Sequence, residues 1–201
     1  MSRSPYFHHA LLVLAASFGG ACASVSPSPF PQEAGSTRPS QLFTVSLGSR
    51  SMDDSTAWDQ IDKPVSVGFE GGSVGDPIGY ELGVFFARDS TTEMGVDVSA
   101  NFLEASFGGR GTFGDGPLMP YVGAGISLIL AEVEGESGGL TVSDDDAGAG
   151  LYIHGGALYR LGNTFYLGLD ARLVTGTSVD IFGIDTDADY TQVALVLGWG
   201  F

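Results

Sequence analysis

The feature that most limits what this chain can become is an alternation repeated eight times between residues 41 and 201. The runs are roughly 41–50, 64–72, 78–88, 94–113, 120–134, 147–161, 164–177 and 188–201. In each, every second side chain is apolar, the period of a β-strand with one apolar side. One face reads Phe43, Val45, Leu47; then Val65, Val67, Phe69; then Tyr80, Leu82, Val84, Phe86. It continues in the same style to Val193, Leu195, Leu197, Trp199 and Phe201, and it carries no charge within these stretches. The opposite face mixes Gly, Ser and Tyr with Arg50, Glu70, Glu81, Glu104, Arg110, His154, Arg160, Asp170 and Arg172. An all-β protein follows.

Composition closes off the alternatives. Thirty-one glycines weaken any helix, and no stretch of about 18 apolar residues offers a transmembrane helix. The formal charge of −16, from 24 acidic and 8 basic residues, opposes nucleic-acid binding, which calls for a basic stripe.

The breaks between runs alternate in length. SMDDSTAWDQIDK, DSTTE, EVEGESGGLTVSDDDAG and SVDIFGIDTDAD are acidic and mostly long, while GGSVGDPIG, GDGPLM and LGN are short turns. Long loops at one end and short turns at the other predict an eight-stranded antiparallel up-and-down transmembrane β-barrel over residues 41–201.

A water-soluble barrel would also alternate, so the outer face needs a separate argument. With the short turns placed at the bottom, Phe43, Phe69, Tyr80, Phe113, Tyr159, Phe165, Trp199 and Phe201 all fall at the lower strand ends. That is a girdle at a membrane interface; a soluble core has no reason to sort aromatics by height. The other face is too charged for a dry core but suits a narrow polar lumen. The apolar face therefore meets lipid. One segment resists: Met94, Val96, Val98 and Ala100 share the parity of inward Glu104 yet are apolar. Either a bulge near Phe102–Leu103 restores the pattern, or a hairpin stands above the membrane.

Residues 1–23 read as an export signal, with Arg3 ahead of the apolar ALLVLAASF. Two cleavage readings stay open. Ala21-Cys22-Ala23 is an A-x-A site, whereas GGAC resembles a lipobox with Cys22 as the lipidated residue. Residues 24–40 form a Pro/Ser-rich linker, and the only cysteine lies in or beside the signal, so no internal disulfide forms.

Gln192 to Phe201, apolar at alternate positions and finishing on Phe, together with the girdle, resembles the eight-stranded outer-membrane barrels similar to the transmembrane domain of outer membrane protein A. The resemblance covers residues 41–201. It implies a bacterial outer-membrane location among phospholipid and lipopolysaccharide. It also implies that Val193, Leu195, Leu197, Trp199 and Phe201 form a signal read by the barrel-assembly machinery.

An eight-stranded interior is just wide enough for side chains to fill. Arg50, Glu70, Glu81, Glu104, Arg110, Arg160, Asp170 and Arg172 are expected to pack there as an ion-pair network, four acids against four arginines. A plugged lumen serving envelope structure or surface interaction follows; a narrow diffusion pore built from the same pairs is the alternative. Some barrels of this size modify lipid A, but His154 reads as a satisfied lumen histidine, and no nucleophile motif, metal-ligand cluster or cofactor site stands out. Asp144, Asp145 and Asp146 read as a solvated loop, with weak divalent-cation association as the sharper reading; they lack the ligand spacing of an EF-hand.

Overall fold

A computed structural model describes residues 38–53, 58, 61–93 and 95–201. The signal, the lipidation choice at Cys22 and most of the linker lie outside those residues. The described chain forms β1 (Gln41–Met52), β2 (Val65–Ser73), β3 (Ile78–Glu93), β4 (Val96–Thr112), β5 (Leu118–Ser137), β6 (Leu140–Arg160), β7 (Phe165–Thr175), β8 (Ser178–Ile181), β9 (Ile184–Asp187) and β10 (Tyr190–Gly200). Eight of these close into an antiparallel barrel in the order β1-β10-β7-β6-β5-β4-β3-β2, and β1 pairs with β2 to complete it. The seam is tight. Phe43 faces Trp199 across β1 and β10, and the Phe201 amide donates to Gln41 O at 2.9 Å. Closure leaves no strand edge in the wall, as a lipid environment requires.

The alternation sorts as the sequence dictates. Leu47, Ile126, Leu151, Leu169 and Val193 lie exposed on the outer wall, while Ser46, Glu104, His154, Arg172 and Gln192 are buried inside.

The loop end is more ordered than the sequence suggests. The acidic break after residue 130 is not a loop: β5 and β6 pair continuously from Leu118↔Tyr159 to Ser137↔Leu140. Gly138 and Gly139 make the two-residue turn, with φ of 57° and 82°. Both central residues of a type I′ turn need that left-handed backbone. A tilted strand needs about 9–11 residues to cross a bilayer, so β5 with 20 and β6 with 21 project well beyond it. The β3–β4 hairpin rises beside them, pairing up to Glu93↔Val96. The expected loop SVDIFGIDTDAD likewise contains a hairpin, β8–β9.

The bulge near Phe102–Leu103 does not exist. The β3–β4 and β4–β5 registers run unbroken through both residues, so Val98, Ala100 and Phe102 keep the inward parity of Glu104. Their partners are inward too. Ala100 and Phe102 are buried with Met52, Trp58, Ile61, Ile129, Val174, Val179 and Ile181 in one cluster at the loop-side mouth. The hairpin alternative is the correct one, and its inner face is apolar because loop side chains pack on it.

Candidate functional site

Among the described residues the barrel interior is where buried charge concentrates, and it is layered. At the turn end lies an apolar layer of Leu42, Met119, Tyr121, Leu158, Tyr166 and Val196. Two charged tiers follow above it.

The lower tier centres on Glu81 from β3. Arg110 from β4 sets its Nε 2.8 Å from Glu81 Oε2 and its Nη2 3.6 Å from Glu70 of β2. The Nε contact lies off the N–H axis, leaving an ion pair without a directed hydrogen bond. Tyr152 OH donates to Glu81 at 2.7 Å, and Tyr121 OH donates to Asp170 at 2.8 Å. His154 of β6 stands between these carboxylates, with Nε2 2.9 Å from Glu81 and Nδ1 3.0 Å from Asp170. Both contacts are hydrogen bonds only when both ring nitrogens carry protons. In that form His154, Arg50, Arg110 and Arg172 balance the four buried acids Glu70, Glu81, Glu104 and Asp170.

The upper tier is built on Glu104, which is 0% exposed. It accepts from Arg50 at 2.8 Å, from Arg172 at 2.7 Å, from Ser127 at 2.8 Å, and from Tyr190 OH. Arg50 also donates to Gln192 at 2.9 Å. Arg172 Nε and Nη1 have no hydrogen-bond acceptor among the described residues. Its guanidinium instead lies over the rings of Tyr152 and Phe85, at 3.9 and 4.5 Å from their centroids, where π faces attract a cation. Above this tier comes the apolar cluster already described, with Trp58 edge-on to Phe102 and its Nε1 donating to Asp187 O at 2.8 Å.

Of the eight charged residues expected to share one network, seven are buried in these two tiers. Arg160 sits elsewhere, half-buried at the end of β6, where its backbone amide donates to Pro117 O at 2.8 Å. Sequence reasoning passed over the neutral members Ser127, Gln192, Tyr121 and Tyr190, although their inward parity marks them. Trp58 offered no signal, since a loop residue has no period.

Glu70, Glu81 and His154 bring ligand atoms within 4.8 Å of one another, a spacing a metal could use. The Arg110 guanidinium pairs with both glutamates, however, and both His154 nitrogens already face carboxylates. The cation at this site is the protein's own.

Asp144 and Asp146, expected in a solvated loop, lie on β6. They accept from the backbone amides of Phe182 and Asp180, at 2.5 and 2.7 Å, and so hold β8–β9 against the inner side of β6. The Asp180 bond, together with one from the Ala147 amide, holds the Asp146 carboxyl below the usual range. The outer wall carries Phe43, Phe69, Tyr80, Phe113, Tyr159, Phe165 and Phe201 exposed, with Trp199 partly covered between Phe43 and Phe165, at ring distances of 6.2 and 5.7 Å.

A closed barrel with apolar side chains outside and paired charges inside defines an integral protein of the bacterial outer membrane, surrounded by lipid and lipopolysaccharide. The sequence matches the outer membrane protein beta-barrel domain over residues 13–201, and the chain belongs to that family. Solved structures of similar fold include the outer membrane protein OprG from Pseudomonas aeruginosa (TM-score 0.58, 15% identity, covering 82% of this chain and 97% of that one). Ail, the attachment invasion locus protein of Yersinia pestis, aligns with TM-score 0.55 and 12% identity over 82% and 99% of the two chains. Neisserial surface protein A aligns with TM-score 0.52 and 14% identity over 80% and 96%. No curated protein matches the chain in sequence.

Proposed function

We propose that this protein is a non-catalytic, closed outer-membrane barrel whose interior is a structural plug and whose work is done at its loop end, in envelope structure or surface interaction. The observation that carries the reading is the layering of the interior. A path along the axis meets the apolar layer of Met119, Leu158 and Tyr166, then two tiers of paired charge, then the cluster around Phe102 and Trp58. Ions crossing such a path would need ion pairs to part and two apolar layers to wet. The acids and His154 are engaged by cations and by each other, which leaves no base poised beside a nucleophile among the described residues.

The same reading assigns Val193, Leu195, Leu197, Trp199 and Phe201 to recognition by the barrel-assembly machinery. Divalent cations at the acidic loop end would bridge it to lipopolysaccharide phosphates.

Planar-bilayer recording tests the plug. The purified barrel should insert without producing channel openings at moderate voltage, and reproducible unitary openings would assign it to the pores instead.

A further inference from the structure

The projecting hairpins end in an apolar patch that nothing in the described chain covers. Leu140 and Val142 on β6 are 76% and 60% exposed, and Phe182 and Ile184 at the β8–β9 turn are 50% and 66% exposed. The two groups adjoin, because the Phe182 amide donates to Asp144, two residues from Val142 on the same face of β6. Phe182 also has φ of 56°. A bulky residue rarely adopts that conformation, and Asn or Gly is the usual occupant of this turn position. An aromatic held there, its backbone pinned and its ring exposed, is a feature the fold does not need.

The surround decides what could cover it. Residues 132–146 contain six acids and residues 175–190 four, and neither segment has a lysine or arginine. A second copy would bring the same charge against itself, and a polyanion would be repelled. Lipid is out of reach: Val142 lies nine residues beyond lipid-facing Leu151, roughly 20 Å higher for a strand at barrel tilt. It also faces inward.

We propose that Leu140, Val142, Phe182 and Ile184, within their acidic surround, form a docking surface for a cationic amphipathic peptide segment of a partner protein. This deepens the surface-interaction reading and rests on it. Phe182 is the aromatic anchor, and Asp180, Asp185 and Glu136 supply the complementary field.

The test is a fluorescence-anisotropy titration of the barrel in zwitterionic nanodiscs with a synthetic Lys/Leu amphipathic peptide. A Lys/Ser peptide of equal charge and a Glu/Leu peptide of equal apolarity serve as probes of each component. The Lys/Leu peptide should bind saturably and the other two should not. Phe182→Asn combined with Val142→Ser should weaken binding about tenfold, as loss of an aromatic anchor does. Asp180→Asn, Asp185→Asn and Glu136→Gln together should weaken it several-fold and flatten its salt dependence. A closed barrel pairs its backbone internally and should resist SDS until boiled, so each variant is scored only if its unboiled gel migration matches that of the wild type. No saturable binding, equal binding by the Lys/Ser peptide, or unchanged binding to the Phe182 variant would overturn the proposal. A silent barrel in the bilayer recording alongside such a failure would leave the plug intact, whereas a conducting barrel that binds would sink the plug alone.

Discussion

His154 can stand between Glu81 and Asp170 only because β5 offers no side chain opposite it. A Cβ built at Gly123 would fall on His154 Nε2 and lie 2.7 Å from Glu81. Gly108 and Gly156 similarly leave room for the hydroxyls of Tyr152 and Tyr121. Much of the glycine content is therefore the negative image of the large lumen side chains. Gly123→Ala should overpack the lower tier and cost about 1–3 kcal/mol, read as a lowered urea midpoint in detergent. Gly135→Ala, where nothing lies within 4 Å, should leave the midpoint unchanged. Equal effects at both sites would mean that the lower tier is not packed as described. The charged residues of these tiers were legible from parity, since an arginine or glutamate opposite a run of leucines has nowhere else to point. Their partners were not. Whether Arg110 meets Glu70 or Glu81 depends on strand stagger, which alternation does not encode.

At the scale of elements, the loops separate into those a pattern reveals and those it hides. Alternation ran on through residues 130–150, but acids on both faces masked it, so EVEGESGGLTVSDDDAG read as a loop although Gly138-Gly139 is a strong hairpin signal. The apolar 96–100 segment left a bulge and a hairpin equally open for the opposite reason: its inward side chains meet Trp58 and Ile61 from a loop far away in sequence. The base of the loop between β7 and β10 is tied by a further carboxylate, besides Asp144 and Asp146 at its tip. Asp189 accepts from the amides of Gly176 and Thr177 at 2.9 and 2.7 Å, and from the hydroxyls of Thr175 and Thr177 at 2.9 and 2.8 Å. Burial alone would raise its pKa, but the bonds from Thr177, Gly176 and Thr175 outweigh it and hold the carboxyl below its ordinary value of 3.8. A depressed folded value means that the stabilisation is present above the ordinary value and is lost as pH falls through the lower one. Hydrogen exchange at the Gly176 and Thr177 amides should therefore stay protected at pH 5 and lose protection only below the ordinary value of 3.8, while Asp189→Asn should loosen them at every pH. Protection in the Asn variant equal to wild type would show that Asp189 is not the tie.

For the whole molecule, the eight barrel strands, their topology, the lipid-facing side and the family are all readable in the sequence, because bilayer thickness, closure and a polar interior leave few solutions for such a pattern. The assignment of the last strand to assembly gives a separable expectation. Phe201→Ala keeps the backbone bonds that join Phe201 to Ser40 and Gln41 and removes a side chain that is 72% exposed on the outer wall. Its loss should cost the finished barrel only about 1–3 kcal/mol. Outer-membrane yield in cells should fall sharply while refolding into detergent in vitro stays largely intact; equal losses in both would make Phe201 a packing residue and no more. The claim on which everything else depends is that the uncharged face meets hydrocarbon. Nitroxide labels placed singly from Leu167 to Leu173 in the barrel reconstituted in bilayers test it through their collision rate with oxygen, which concentrates in hydrocarbon. High rates at residues 167, 169, 171 and 173, alternating with low rates at 168, 170 and 172, are the expected result. The inverse alternation, or no alternation at all, would contradict the account.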